Sequence, residues 1–146
     1  MKKKLLLLMT LSIIIIGCDT VHGVIRYSTV NTVKLPVKCI IDSLEVIKGI
    51  SNIKYQTEEG SQRLTFNGIE QPEIIDRFSY TYDGLYGNFY FITNEEGVIE
   101  FRHTYIGINY NPPEIGKMKQ IMLKIENSVS QRCEIDVSTN IIEDIK

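Results

Sequence analysis

An α+β fold is the class this sequence predicts, and three observations predict it. Apolar residues recur at spacings of three and four in two segments near the ends of the chain, as amphipathic helices require. Between them, from 53 to 110, short runs rich in aromatic and β-branched residues are punctuated by Gly-containing turns, the pattern of antiparallel strands. Two cysteines, Cys39 and Cys133, fall one in each helical segment. The expected architecture is an antiparallel meander of four or five strands, with two amphipathic helices on one face joined by a disulfide.

The first helix is expected from Pro36, a residue suited to the first helical position. Val37, Ile40, Ile41, Leu44 and Ile47 line one face, and Gly49 can end it. Cys39 lies on a flank of that stripe. Strands are then expected near Ile53–Thr57, Arg63–Phe66, Ile75–Tyr82, Asn88–Thr93 and Val98–Tyr105, separated by Glu59-Gly60, Asn67-Gly68, Asp83-Gly84 and Glu96-Gly97. Within the third, Phe78, Tyr80 and Tyr82 share a face; within the fifth, Ile99, Phe101, His103 and Tyr105 do. Asn111-Pro112-Pro113-Glu114 reads as a second helix start with a capping box. Its stripe, Ile115, Met118, Met122, Ile125 and Val129, continues to Cys133. Residues 134 to 146 alternate weakly and are expected to form a short strand or a frayed tail.

The chain has 146 residues, 43% of them hydrophobic and 23% charged, a globular balance with room for one domain. Only its ends depart from that balance. Met1-Lys2-Lys3-Lys4 is a positive leader, Leu5–Ile16 an apolar run, and Gly17-Cys18 follows before Asp19. This is the layout of a secretory signal, and the run stops short of the roughly 20 residues a spanning helix needs. Residues 1–17 are therefore read as a signal peptide, 18–35 as a polar tether with at most a short strand near Val24–Tyr27, and 36–146 as the globular domain.

Ile15-Ile16-Gly17-Cys18 resembles the lipobox of bacterial lipoproteins, with an aliphatic residue first, a small residue before the cut and then the cysteine. Ile16 departs from the commoner Ala or Ser. The resemblance covers this segment alone and implies lipid on the Cys18 sulfur, cleavage before it, and a chain held at a bacterial cell membrane facing the periplasm. Inner and outer membrane are not distinguished. Two or more acyl chains suffice for stable anchoring. With Cys18 used in this way, Cys39 and Cys133 are an even pair in an oxidising compartment and are expected to form a disulfide.

Removing the leader takes three lysines, so the formal charge moves from −2 to −5. An acidic mature chain argues against nucleic acid as a partner. No phosphate loop, nucleophile elbow, paired-histidine metal motif or Cys-x-x-Cys is present, so no cofactor or metal is expected. Of the two histidines, His22 falls in the tether and His103 on a strand face with Phe101 and Tyr105. Asp76, Asp83, Glu95, Glu96 and Glu100 sit at turns or between apolar positions. The aromatic stretch Phe78–Phe91 is the feature with binding character, and Tyr80, Tyr82, Tyr86 and Tyr90 are its candidate partner surface.

These observations favour a non-catalytic, lipid-anchored envelope protein that binds a protein or glycan partner or supports the envelope. A small periplasmic hydrolase or glycan-binding enzyme is the alternative, needing a cleft with converging carboxylates or His103. An inhibitor or immunity protein against a cationic cell-wall enzyme is a further special case.

Overall fold

Alternation of core and outward residues along successive strands builds one large antiparallel sheet, seen in a computed structural model that describes residues 21–30, 32, 34–60, 64–65, 68–69, 73–94, 97–108, 111–137 and 141–145. Its strands are β1 (Val21–Val30), β2 (Ile50–Glu59), β5 (Ile74–Tyr82), β6 (Leu85–Thr93), β7 (Ile99–Ile108) and β8 (Ile141–Ile145). The spatial order is β2-β5-β6-β7-β1-β8, and every neighbouring pair is antiparallel. A separate two-stranded hairpin pairs β3 (Leu64–Thr65) with β4 (Gly68–Ile69) between β2 and β5. Of the expected strand Arg63–Phe66, the two ends lie outside the described residues.

Both helices lie on one face of the sheet. Helix α1 (Val37–Glu45) and helix α2 (Pro112–Cys133) sit at the two stretches where the apolar period is helical. Ile40 and Leu44 of α1 and Met118, Ile121, Met122, Ile125 and Val129 of α2 are buried against Phe78, Tyr80, Phe89, Phe91, Phe101 and Tyr105 of the sheet. Cys39 and Cys133 are joined, with Cα atoms 5.7 Å apart, so the bridge ties the start of α1 to the end of α2.

Local chemistry explains the turns. Asp83 and Gly84 both have positive φ, at 51° and 80°, and close the two-residue β5–β6 hairpin as a type I′ turn. Gly87 faces Tyr80 across that hairpin. A Cβ on it would come within 2.5 Å of the tyrosine ring, so the glycine is what lets the ring lie flat over β6.

Three expectations are corrected. Residues 18–35 are not simply a tether: β1 occupies 21–30, pairs with β7 on one side and β8 on the other, and buries His22, Val24, Arg26 and Val30. The folded domain thus starts no later than Val21, and the sheet has six strands because both terminal segments add to the meander. The alternation Val24, Arg26 was masked in the sequence by a buried arginine and histidine, which read as solvent-facing. Finally, Asn111 is the residue before α2 but makes no side-chain cap hydrogen bond. Glu114 instead accepts from the Tyr105 hydroxyl at 3.3 Å, so the expected capping box is replaced by a tie to β7.

Candidate functional site

Strand alternation divides the polar and aromatic side chains between two places: a sealed network under the helices, and an open face on the other side of the sheet. The network is built where β1, β5, β7 and α2 meet. Register sets Arg26 opposite His103, and α2 brings Glu126 over both. Arg26 grips the carboxylate with two bonds, Nε to Oε1 at 2.8 Å and Nη2 to Oε2 at 2.9 Å. His103 Nδ1 lies 3.2 Å from Glu126 Oε1, and its Nε2 lies 2.8 Å from the Tyr80 hydroxyl.

These partners assign the proton positions. A carboxylate can only accept, so Nδ1–H donates to Glu126 and Nε2 accepts from Tyr80. Burial pushes the His103 pKa below its ordinary value, an effect that Glu126 only partly opposes. Burial also pushes the Glu126 carboxyl upward, but the hydrogen bonds and charges of His103 and Arg26 outweigh it and hold it below the usual carboxylate range. The Tyr80 hydroxyl is raised, first by burial and then by Glu126, so it keeps its proton. The resting state is a neutral histidine beside an Arg–Glu ion pair.

Such a trio would suit a hydrolase if a substrate could reach it. Here it cannot: Tyr80 and His103 are 0% exposed, Glu126 3% and Arg26 4%. The network is a polar bolt through the core. It also makes a pH prediction with a definite sign. Both folded-state pKa values are depressed, so both groups stabilise the fold at neutral pH and lose that contribution as pH falls. Melting temperature is expected to decline first as pH drops below the ordinary histidine value of 6.5, because the unfolded chain takes a proton that folded His103 resists. A second decline is expected below the ordinary carboxyl value of 4.5, as Glu126 is forced to protonate. Calorimetry of wild type and His103→Gln between neutral and acid pH checks this; the variant should lose the first decline and keep the second.

The open face carries the other group. Tyr90 lies between Arg77 and Arg102, and Arg102 is opposite Tyr27, so one cross-strand row reads Arg77, Tyr90, Arg102, Tyr27 over four strands. The Arg77 guanidinium sits 5.3 Å from the Tyr90 ring centre and that of Arg102 5.4 Å from Tyr27. Glu58 pairs with Arg77 and Glu100 with Arg102, fixing both arginines from the adjoining row. The next row holds Ser79, Asn88, Thr104 and Ile25.

The four tyrosines expected to form one surface are therefore split. Tyr80 is buried and Tyr82 packs on the core under the helices, whereas Tyr86 and Tyr90 point from the open face, Tyr86 being 56% exposed. The reason is the even spacing of Tyr80, Tyr82, Tyr86 and Tyr90 combined with the two-residue turn, which reverses the facing of the chain between Tyr82 and Leu85. Tyr27, Arg77 and Arg102 belong to the face and were not singled out by their sequence surroundings; the outward parity of β5, β6 and β7 was the available signal. His22 is not in a tether but buried edge-on to Tyr105, ring centres 5.9 Å apart. Asp76, Asp83 and Glu100 do not converge: they bond to Tyr55, Lys117 and Arg102 respectively. Glu95 and Glu96 lie outside the described residues, as does Cys18. Among the described residues no group of three or more His, Cys, Asp or Glu side chains is placed to hold a metal ion, and no helix is long and apolar enough to cross a membrane.

Fold and faces together define a two-layer α+β domain with helices on one side of an antiparallel sheet and, opposite, an Arg- and Tyr-bearing side that neither described helix covers. No protein-family profile, no curated protein and no solved structure matches the chain.

Proposed function

We propose that the chain is a non-catalytic, lipid-anchored protein of the bacterial envelope whose open sheet face docks a protein partner. The observation that carries the docking reading is the Arg77–Tyr90–Arg102–Tyr27 row on a face that neither helix covers. Tyrosine and arginine are the residues enriched in protein interfaces, offering large area with little conformational freedom to lose. The row is already rigid, since each ring is stacked by a guanidinium and each guanidinium is held by a carboxylate. A broad sheet surface favours a protein over a glycan, because small-ligand sites are concave. Anchoring is supported by the basic leader, the apolar run and Ile15-Ile16-Gly17-Cys18.

Photo-crosslinking in cells tests both parts. A photoreactive residue at Asn88 or Thr104, within the face, should trap one and the same protein, and one at Lys124 on α2 should not. Adding Tyr27→Ser and Tyr90→Ser should abolish the adduct while the protein stays folded. Cys18→Ser should remove fatty-acid labelling and release the chain from the membrane fraction. Adducts of equal yield from Asn88 and Lys124 would dispose of the docking face, and unchanged labelling of the Cys18→Ser chain would dispose of the anchor.

A further inference from the structure

A second feature of the open face is confined to one corner. Ile108 is 67% exposed, Ile106 59% and Tyr86 56%, the largest values among the exposed bulky apolar residues described, apart from Val46. Ile106 and Ile108 alternate on the outer side of β7, and the β6–β7 register, continued one step beyond Gly87–Tyr105, sets Tyr86 beside Ile106. The neighbouring strand at this corner is the start of β1, where Gly23 pairs with Ile106 and Val21 with Ile108. Val21 is the third residue after Cys18, so an extended link between them spans at most about 10 Å. The other end of the same face carries Glu58 and Glu100, with Ile75 and Ile92 in the row between them.

From this placement we infer that the Tyr86–Ile106–Ile108 corner is a membrane-contact surface, seated in the bilayer interface beside the lipid on Cys18. The inference rests on the lipoprotein reading and adds an orientation to it. A link this short cannot carry the domain clear of the headgroups, so whatever lies at the start of β1 meets the bilayer surface. What lies there is apolar, and an aromatic hydroxyl with two isoleucines suits the boundary between headgroups and acyl chains. The strands then rise from the membrane. At roughly 3.4 Å per residue, the Arg–Tyr row, which crosses β1 at Tyr27, stands about 20 Å from the Val21–Ile108 end, which presents it to the periplasm rather than to lipid.

The chain contains no tryptophan, so a single introduced one reports on its own surroundings. The mature lipidated protein is placed in phosphatidylethanolamine/phosphatidylglycerol vesicles bearing brominated acyl chains, with Ile108→Trp, Ile106→Trp or Val98→Trp as probe. Val98 is exposed just before the far end of β7. Emission at 106 and 108 should shift to the blue and be quenched by bromine several-fold more than emission at 98. Mass spectrometry of the same preparation reads the lipid on Cys18. Lipid present with no quenching at 106 and 108 overturns the membrane contact and leaves the anchor standing. Equal quenching at all three sites overturns the upright orientation. A blue shift without bromine quenching assigns the corner to a protein partner or a second copy, against the inference. Absence of lipid on Cys18 removes the lipoprotein reading and this inference with it.

Discussion

Replacing Glu126 with alanine is expected to destabilise the folded protein by about 3–5 kcal/mol. For a domain of this size that corresponds to a fall in Tm of roughly 10 to 20 °C. The cause is less the lost attraction than what the mutation leaves behind. Arg26 is 4% exposed and both of its bonds in the network go to this carboxylate, so its charge would remain in the core without the counter-ion that holds it among the described residues. His103 would lose the acceptor for Nδ1–H. Glu126→Gln should sit between wild type and alanine, since an amide can still accept but carries no charge. Removing both charges tells the two explanations apart: Arg26→Met with Glu126→Leu should recover most of the loss, because no buried charge is then left unpaired. Thermal denaturation of the four proteins measures this, and a double variant no more stable than Glu126→Ala would mean that the ion pair is itself a net source of stability.

Loss of the Cys39–Cys133 bridge is the other large effect expected. The sequence separation is 94, and the chain-entropy treatment gives about 4.7 kcal/mol for a closed loop near 100 residues. Because that stabilisation acts by restricting the unfolded chain, Cys39→Ser with Cys133→Ser should lower Tm by roughly 10 to 20 °C and leave the native sheet intact. The oxidised protein should also migrate faster than the reduced one on a denaturing gel. Equal melting of bridged and bridgeless proteins would show that the bridge does not stabilise through the unfolded chain. The combined Glu126 and cysteine variants should lose stability additively only if the bolt and the bridge act independently.

Both helices were legible because their stripes obey one period and face one layer of sheet. Cys133 continued the stripe of Ile125 and Val129, Cys39 flanked that of Ile40 and Leu44, and antiparallel packing brought them together. The strands were legible from Asp83-Gly84 and from the alternation in Phe78–Tyr82 and Ile99–Tyr105, where apolar residues mark the inner parity. That rule failed at β1. Its inner parity holds His22 and Arg26, which burial forbids unless partners are supplied from elsewhere, and the partner of Arg26 is Glu126, a hundred residues away. Glu126 in turn lies beside Ile125 of the helix stripe and is buried, which nothing in its own stretch of sequence marks.

The sequence by itself determined both helices, most of the strands between them and which side of each is apolar, and it placed Cys39 and Cys133 one in each helix. These are properties of short windows, where φ/ψ preference and periodic burial act within a few residues. Tertiary structure alone decided that residues 21–30 complete the sheet, that Tyr80 is core while Tyr90 is surface, and that Arg26, His103, Tyr80 and Glu126 form one unit. A polar side chain can be buried only where another element brings it a partner, and no local window contains that partner.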